Sequence, residues 1–179
     1  MDEASADNGY TADQIASAYG LDNLYAQGAL GAGVTVAIYE LEPFSSSDIK
    51  AYQKCYGTTA SITTTNVDGG PGTTTQQGEA ALDIEDVIGL APQASINVFQ
   101  GPNNTQKGGF DTYEQIISNP VTPEVISTSW GMCESNNLSN DQAENTLFEE
   151  AAAQGQTIFA ASGDTGADAC GQRERKSVV

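Results

Sequence analysis

The chain of 179 residues contains no histidine, and this absence limits the chemistry that it can perform. Without imidazole, neither a Ser-His-Asp triad nor a Cys-His pair can form within these residues, and a histidine-based metal site is also excluded. Any general base in this chain must therefore be a carboxylate.

Basic residues are scarce as well. Six Lys and Arg stand against 24 Asp and Glu, which gives a formal net charge of -18. Such a surface repels the phosphates of nucleic acids and of anionic membranes, so we expect neither as a partner. The 39% of hydrophobic residues distinguishes the chain from acidic disordered segments. A surface dense in carboxylates becomes largely neutral in acid, which fits an acidic working medium.

Cysteines are few and long apolar runs are missing. The three cysteines, Cys55, Cys133 and Cys170, are too few for a disulfide scaffold and too widely spaced for a zinc motif. The opening MDEASADNGY lacks the basic and apolar regions of a signal peptide, and no stretch reaches the length of a membrane span. We therefore expect a soluble chain from which any export signal was removed, with a disordered segment at 1–9 and one domain at 10–179.

Short β-branched runs alternate with helical patterns, and this alternation predicts an α/β fold with a parallel sheet. Helices are predicted at 11–19 with Thr11 as the N-cap, around 49–56 before a stop at Gly57, from Gly78 onward, at 112–118 and at 141–154. Ser139 and Gln142 are predicted to form a capping box for the last helix. Strands are predicted at 34–40, 61–67, 95–99, 125–129 and 157–161.

Three carboxylates recur along the predicted helix GEAALDIEDVIG at 78–89. At about 100° per residue, Glu79, Asp83 and Asp86 form one narrow stripe beside an apolar arc. Residues four apart lie about 6 Å apart at Cβ, so Glu79 and Asp83 can share a proton when partly desolvated and supply a general base in acid. The alternatives are a solvated acidic face and a divalent-metal site with oxygen ligands.

Two further segments follow predicted strands. ASGDTGA at 161–167 places Asp164 where open α/β sheets bind ligands, and a simple Asx turn is the alternative. ISTSWG at 126–131 contains the only tryptophan, Trp130, which by itself is typical of a core or its rim. The glycine-rich GALGAG at 28–33 precedes its strand instead of following it, so a nucleotide-binding domain is disfavoured.

In this order and spacing, these segments resemble the sedolisin family of serine-carboxyl peptidases, which have a subtilisin-like fold. The resemblance runs from Tyr10 to Val179 and includes YTADQIASAYGL, VAIYEL, GEAALDIEDVIGLAP, ISTSWG and ASGDTGA. It implies the N-terminal half of the catalytic domain of a secreted, extracellular endopeptidase that cleaves proteins or peptides at acidic pH.

The resemblance implies a role for each acidic motif. Glu79 is similar to the family's general base for a serine hydroxyl, and Asp83 to the residue that orients this base and shares its proton. Asp164 is similar to a carboxyl that stays protonated in acid and donates a hydrogen bond to the developing oxyanion.

The same resemblance implies a second group of residues. Glu40 and Trp130 are similar to residues that extend the hydrogen-bond network behind the orienting aspartate in some relatives. The main chain of Ser127, Ser129 and Gly131 is expected to bind an extended peptide by strand addition.

Two features of the family are missing from this sequence. The nucleophile segment Gly-Thr-Ser is absent, because the Gly-Thr pairs at Gly57 and Gly72 are each followed by threonine. The family's calcium site is expected further toward the C-terminus, so no cofactor is expected in this chain. We interpret the closing GQRERKSVV as a truncation point, or otherwise as an ordinary charged tail, and expect the chain to be inactive without the second half of its domain. A non-catalytic, peptide-binding relative is the alternative.

The family also bears on the cysteines. Cys133 and Cys170 follow two strands that the family places side by side, so the resemblance implies a disulfide between them. Cys55 would then be free or paired outside this segment. Three unlinked thiols are the alternative.

Overall fold

The computed structural model describes residues 9–73, 78–103, 106–120, 123–131, 138–164 and 166. Several expectations lie outside these residues, namely the disordered segment apart from its last residue, the disulfide between Cys133 and Cys170, and the closing segment 171–179. Cys55 is exposed and forms no disulfide with any of the described residues. Within the described residues, no helix combines the length and apolar character needed to span a bilayer.

Helices and strands alternate along the described chain as the sequence pattern predicts. The strands are β1 Thr35–Glu40, β2 Ser61–Asn66, β3 Ser95–Gln100, β4 Val125–Thr128 and β5 Thr157–Ala160. The helices are α1 Ala12–Ala18, α2 Asp22–Ala26, α3 Ser46–Tyr56, α4 Gly78–Leu90, α5 Gln106–Ile117 and α6 Leu138–Ala153. All five predicted strands are confirmed, and each boundary lies within one residue of its prediction.

The sheet is entirely parallel and has the order β2-β3-β1-β4-β5, so β1 lies at its centre. Ile38 of β1 lies beside Val98 of β3 and Ser127 of β4, which fixes the register. The chain leaves β1 for α3 on one face and leaves β4 for α6 on the opposite face. Adjacent strands whose connections part in this way open a crevice at their carboxyl ends, where open α/β sheets bind ligands.

Local signals explain the helix ends that were predicted correctly. The side chain of Thr11 accepts a hydrogen bond from the Gln14 amide while the Gln14 side chain accepts one from Thr11, which confirms Thr11 as the N-cap of α1. Ser45 caps α3 in a similar way, and Gly57 ends α3 with a φ of 69°. Glycine adopts this left-handed conformation without the penalty that a Cβ imposes.

One short helix was not predicted, and two helices begin earlier than predicted. Helix α2 was not predicted, because five residues carry too little periodicity to be recognised. Helix α5 begins at Gln106, six positions before the predicted start at Thr112. Helix α6 begins at Leu138, so Ser139 lies inside the helix and is not its N-cap.

Two apolar clusters lie on opposite faces of the sheet. Val36 and Ile38 pack with α3 and α4 on one face, whereas Ala37 and Tyr39 pack with α5 and α6 on the other. Successive side chains of a strand alternate between faces, so the next residue, Glu40, falls on the α4 face. A carboxyl is thereby placed in the apolar cluster under the acidic helix.

Candidate active site

Three neighbouring strands end in residues that the sequence selected as functional. Glu40 is the last residue of β1, Ser129 and Trp130 follow β4 directly, and Asp164 lies four residues after the end of β5. Because the three strands are adjacent and parallel, these residues lie along the same edge of the sheet.

Glu40 is fully buried at the end of the central strand. Its Oε2 accepts a hydrogen bond of 3.0 Å from the indole Nε1 of Trp130, a contact between residues 90 positions apart in sequence. Its Oε1 is buried and faces no N–H or O–H donor among the described residues. An unpaired carboxylate oxygen is costly in such surroundings, so this oxygen favours the protonated form.

Asp83 approaches the same point from α4. Ala80, Ile84 and Ile88 are fully buried against the sheet, and they fix the helix so that the half-buried Asp83 faces the end of β1. Asp83 Oδ1 accepts a hydrogen bond of 2.9 Å from the hydroxyl of Ser129. Its Oδ2 is buried and, like Glu40 Oε1, faces no donor among the described residues.

One proton between the two carboxyls accounts for both unpaired oxygens. Burial is the main cause that raises the pKa of Glu40 to about 9. The hydrogen bond from Trp130 acts in the opposite direction, while the charge of Asp83, a hydrogen bond shared with Asp83 and the charge of Glu79 raise this pKa further. Glu40 therefore keeps its proton through neutral pH and can donate it to Asp83.

The turn after β4 is held by the hydroxyl of Thr128. This buried oxygen accepts hydrogen bonds from the Tyr113 hydroxyl and from the backbone N–H of Trp130, both at 3.2 Å. Tyr113 is itself fixed, since it stacks on Tyr39 with ring centroids 4.2 Å apart. The indole of Trp130 is thus directed to Glu40 by a well-packed segment.

The acidic stripe of α4 is divided between two environments. Glu79 is half-buried and lies near enough to Glu40 for its charge to act there, whereas Asp86 is exposed. Asp86 lines a different cavity of about 130 Å³, which Glu85 and Tyr52 also border. In the described part of the chain, no group of three or more Cys, Asp or Glu is arranged to hold a metal ion. The carboxyl that shares a hydrogen bond with Asp83 is Glu40, and proton sharing between Glu79 and Asp83 stays a prediction.

The residues predicted to bind substrate fall in two groups. Ser127 lies within β4 between Ile38 of β1 and Phe159 of β5, so its main chain has no open edge for an added strand. Strand addition at Ser127 is therefore wrong as predicted. Ser129 and Gly131 follow the end of β4 and stay candidates.

Asp164 belongs to an exposed segment after the edge strand β5, and Gly163 before it has a φ of 80°. One feature was missed altogether, namely the contact of the Ser129 side chain with Asp83. Period-2 alternation along VISTSW could have indicated it, because Ser129 falls on the same face as Val125, which packs in the α4 cluster.

Comparison with known proteins gives a consistent result, although no protein-family model matches the chain. Kumamolisin of Bacillus sp. (strain MN-32) is 32% identical over 173 residues, which cover 92% of this chain and 30% of kumamolisin. Tripeptidyl-peptidase 1 of Dictyostelium discoideum is 34% identical over 143 residues, covering 76% of this chain and 23% of that protein. Sedolisin of Pseudomonas sp. (strain 101) is 32% identical over 148 residues, covering 79% of this chain and 24% of sedolisin.

A solved structure agrees with these relatives. Pseudomonas sedolisin, a serine-carboxyl proteinase complexed with two molecules of pseudo-iodotyrostatin, matches with a TM-score of 0.66 and 29% identity over 76% of this chain and 40% of that chain. The fold and these relatives define an α/β protein of the serine-carboxyl peptidase family. The chain belongs to the sedolisin family, and it spans less than a third of the length of each of the three curated relatives.

Proposed function

We propose that this chain supplies the acidic part of the active site of a serine-carboxyl endopeptidase that works at acidic pH. The observation that carries the proposal is the continuous series of contacts from Trp130 through Glu40 and Asp83 to Ser129. On a solvated acidic helix face, the carboxyls would contact water and would need no fixed donors. Here two carboxyls accept hydrogen bonds from side chains at the opening of the crevice, which favours a functional site. Family membership supports the same function.

Glu79 is the proposed general base. It lies one helical turn before Asp83 on the stripe that faces the end of β1, and it is half-buried. In the proposed reaction, its carboxylate takes the proton of a serine hydroxyl as that oxygen attacks the substrate carbonyl, and returns it to the leaving amine. Asp83 holds Glu79 in position, and protonated Glu40 holds Asp83.

Asp164 is the proposed oxyanion donor. Its neutral carboxyl would donate a hydrogen bond to the carbonyl oxygen as negative charge develops there. Deprotonation would replace this attraction by repulsion, so the role requires acid. An extended substrate would pair with the main chain of Ser129 and Gly131, beyond the end of β4.

The nucleophile would come from a Gly-Thr-Ser segment outside this sequence, and calcium would bind in that same part of the protein. Without them, the 179 residues alone would bind peptide weakly and cleave nothing. We further propose that the protein acts outside the cell, where an acidic medium protonates its 24 Asp and Glu and lowers the repulsion among them.

The test uses the parent protein that carries this chain together with the serine segment. Glu79→Gln keeps the shape of the side chain and removes the base, so cleavage of a denatured protein at about pH 4 should fall at least 100-fold. Glu114→Gln on the exposed face of α5 is the matched control and should keep full activity. Activity of Glu79→Gln within tenfold of the unchanged protein would refute the assignment. Absence of a Gly-Thr-Ser segment downstream would favour the peptide-binding alternative.

A further inference from the structure

The hydroxyl of Ser129 contacts the carboxyl pair although only the main chain of this residue was expected to function. Ser129 Oγ lies 2.9 Å from Asp83 Oδ1 and donates to it across 46 positions of sequence. The register of β1 with β4 ends at Tyr39 beside Thr128, so Ser129 emerges next to Glu40. The hydroxyl is therefore built into the same cluster as the two carboxyls.

Donors and acceptors in this cluster determine where the proton lies. The four carboxyl oxygens have two fixed donors. Ser129 donates a hydrogen bond to Asp83 Oδ1, and Trp130 donates one to Glu40 Oε2. The remaining oxygens, Asp83 Oδ2 and Glu40 Oε1, are both buried and need one proton between them. Glu40 is the more deeply buried of the two residues, so its neutral form is favoured there.

We propose that Ser129 is a positioning residue that orients Asp83 and stabilises its ionised form, so that the shared proton stays on Glu40. A hydrogen bond donated to a carboxylate favours its charged state, and Asp83 then accepts two such bonds, from Ser129 and from Glu40. This inference rests on the proposed function only where it concerns catalysis. The contacts of Ser129 with Asp83 and of Trp130 with Glu40 stand on geometry and do not depend on that function.

Loss of the Ser129 hydroxyl would reduce the negative charge that Asp83 carries next to Glu79. Two further carboxylates of α4 interact with the pair through their charge: Glu79 acts on Glu40, and Asp86 interacts with Asp83. Without Ser129, the shared proton would spend more time on Asp83, and the reduced negative charge of Asp83 would make Glu79 a poorer base. Removal of the proton from the serine hydroxyl would then be slower, and kcat would fall.

The two donors are consecutive residues of one turn. Ser129 donates to Asp83 and Trp130 donates to Glu40, while the hydroxyl of Thr128 accepts a hydrogen bond from the backbone N–H of Trp130. In the proposed function, the peptide substrate would pair with the main chain of this same segment.

The kinetic test uses the parent enzyme with Ser129→Ala and Ser129→Thr. For Ser129→Ala, we expect kcat to fall about tenfold, the effect of one lost hydrogen bond to a charged group, with KM within twofold of the unchanged enzyme. Ser129→Thr keeps the hydroxyl and should retain at least half of the kcat of the unchanged enzyme. Ser95→Ala, an exposed serine at the start of β3, is the control.

A second measurement needs no activity and uses this chain with ¹³C-labelled carboxyls. In the unchanged chain, the carbon of Glu40 should titrate in one step well above the usual range of a glutamate, because burial keeps the shared proton there. In Ser129→Ala the Glu40 carbon should respond in two steps, because the shared proton no longer stays on Glu40 alone. Unchanged titrations in Ser129→Ala would overturn the inference, whatever the activity. Changed titrations in a parent protein that cleaves nothing at acidic pH would uphold the positioning role and refute the proposed function.

Discussion

The carboxyl ends of β1 and β5 each present an acidic residue of the proposed site, but the two residues lie in opposite environments. Glu40 is fully buried and is held by Trp130 and Asp83. Asp164 is exposed, and it follows an edge strand whose Phe159 is 60% exposed. The contacts that orient the Glu40 pair are therefore encoded within this chain, whereas the described residues leave Asp164 exposed to solvent.

The same contrast extends to the strands themselves. Five of the six residues of β1 are buried, and β1 has neighbours on both sides. All but one of the four residues of β5 are exposed, and within the described part of the chain β5 pairs with β4 alone. Substitutions in the two strands should thus differ in their effect on stability, and the difference can be measured on the 179-residue chain.

The largest effect is expected for Ile38→Ala at the centre of β1. Ile38 is fully buried in the cluster with α3 and α4, so truncation removes apolar contacts and leaves a cavity. The free energy of unfolding should fall by about 3 to 4 kcal/mol in urea denaturation. Val34→Ala, just before β1 and 37% exposed, is the control and should cost less than about 1 kcal/mol. A similar loss for both variants would show that β1 is not the core of the fold.

The second-largest effect is expected in the pH dependence of the free energy of unfolding, which the buried carboxyl of Glu40 should cause and Glu40→Gln should reduce. Below about pH 4.5 the carboxyl is protonated in both the folded and the unfolded chain. Between that value and about 9 the unfolded chain releases the proton and the folded chain keeps it, so the free energy of unfolding falls as the pH rises. Relaxation of the site limits the loss to on the order of 3 kcal/mol.

Glutamine keeps the acceptor for Trp130 and adds an amide donor for Asp83, so Glu40→Gln should flatten this decline between pH 5 and 8. Urea denaturation at several pH values measures the free energy of unfolding and its slope with pH. Glu114→Gln, at an exposed position of α5, is the control and should keep the slope of the unchanged chain. A slope unchanged by Glu40→Gln would mean that Glu40 is ionised in the folded chain.

Sequence periodicity predicted most of the fold because its strands and helices carry clear local patterns. The exceptions have tertiary causes. Helix α2 is fixed by the Tyr25 hydroxyl, which donates to the Leu90 carbonyl at 2.7 Å, a contact that no local pattern reveals. The first turn of α5 contains Gly108 and Gly109, which lower helix propensity but allow close approach to Pro102 and to the Tyr39 hydroxyl.

The candidate site was predictable only in part, for a similar reason. The spacing of Glu79 and Asp83 indicated a carboxyl pair, yet the carboxyl that shares a hydrogen bond with Asp83 comes from β1. Glu40 was named as a candidate only because of the family resemblance, since a glutamate at the end of a predicted strand does not by itself indicate a functional site. Ser129 was assigned to the main chain of the substrate site, since a side-chain contact across 46 residues depends on the register between strands.

The smallest effect is expected for Phe159→Ala in β5. With 60% of its surface exposed, Phe159 contributes little apolar burial, so the free energy of unfolding of the 179-residue chain should change by less than about 1 kcal/mol. Ile158→Ala is the matched neighbour, because Ile158 packs against the cluster with α5 and α6 and its loss should cost more. If Phe159→Ala were as destabilising as Ile38→Ala, the edge strand would be as well packed as the centre, and the contrast between Glu40 and Asp164 would lose its structural basis.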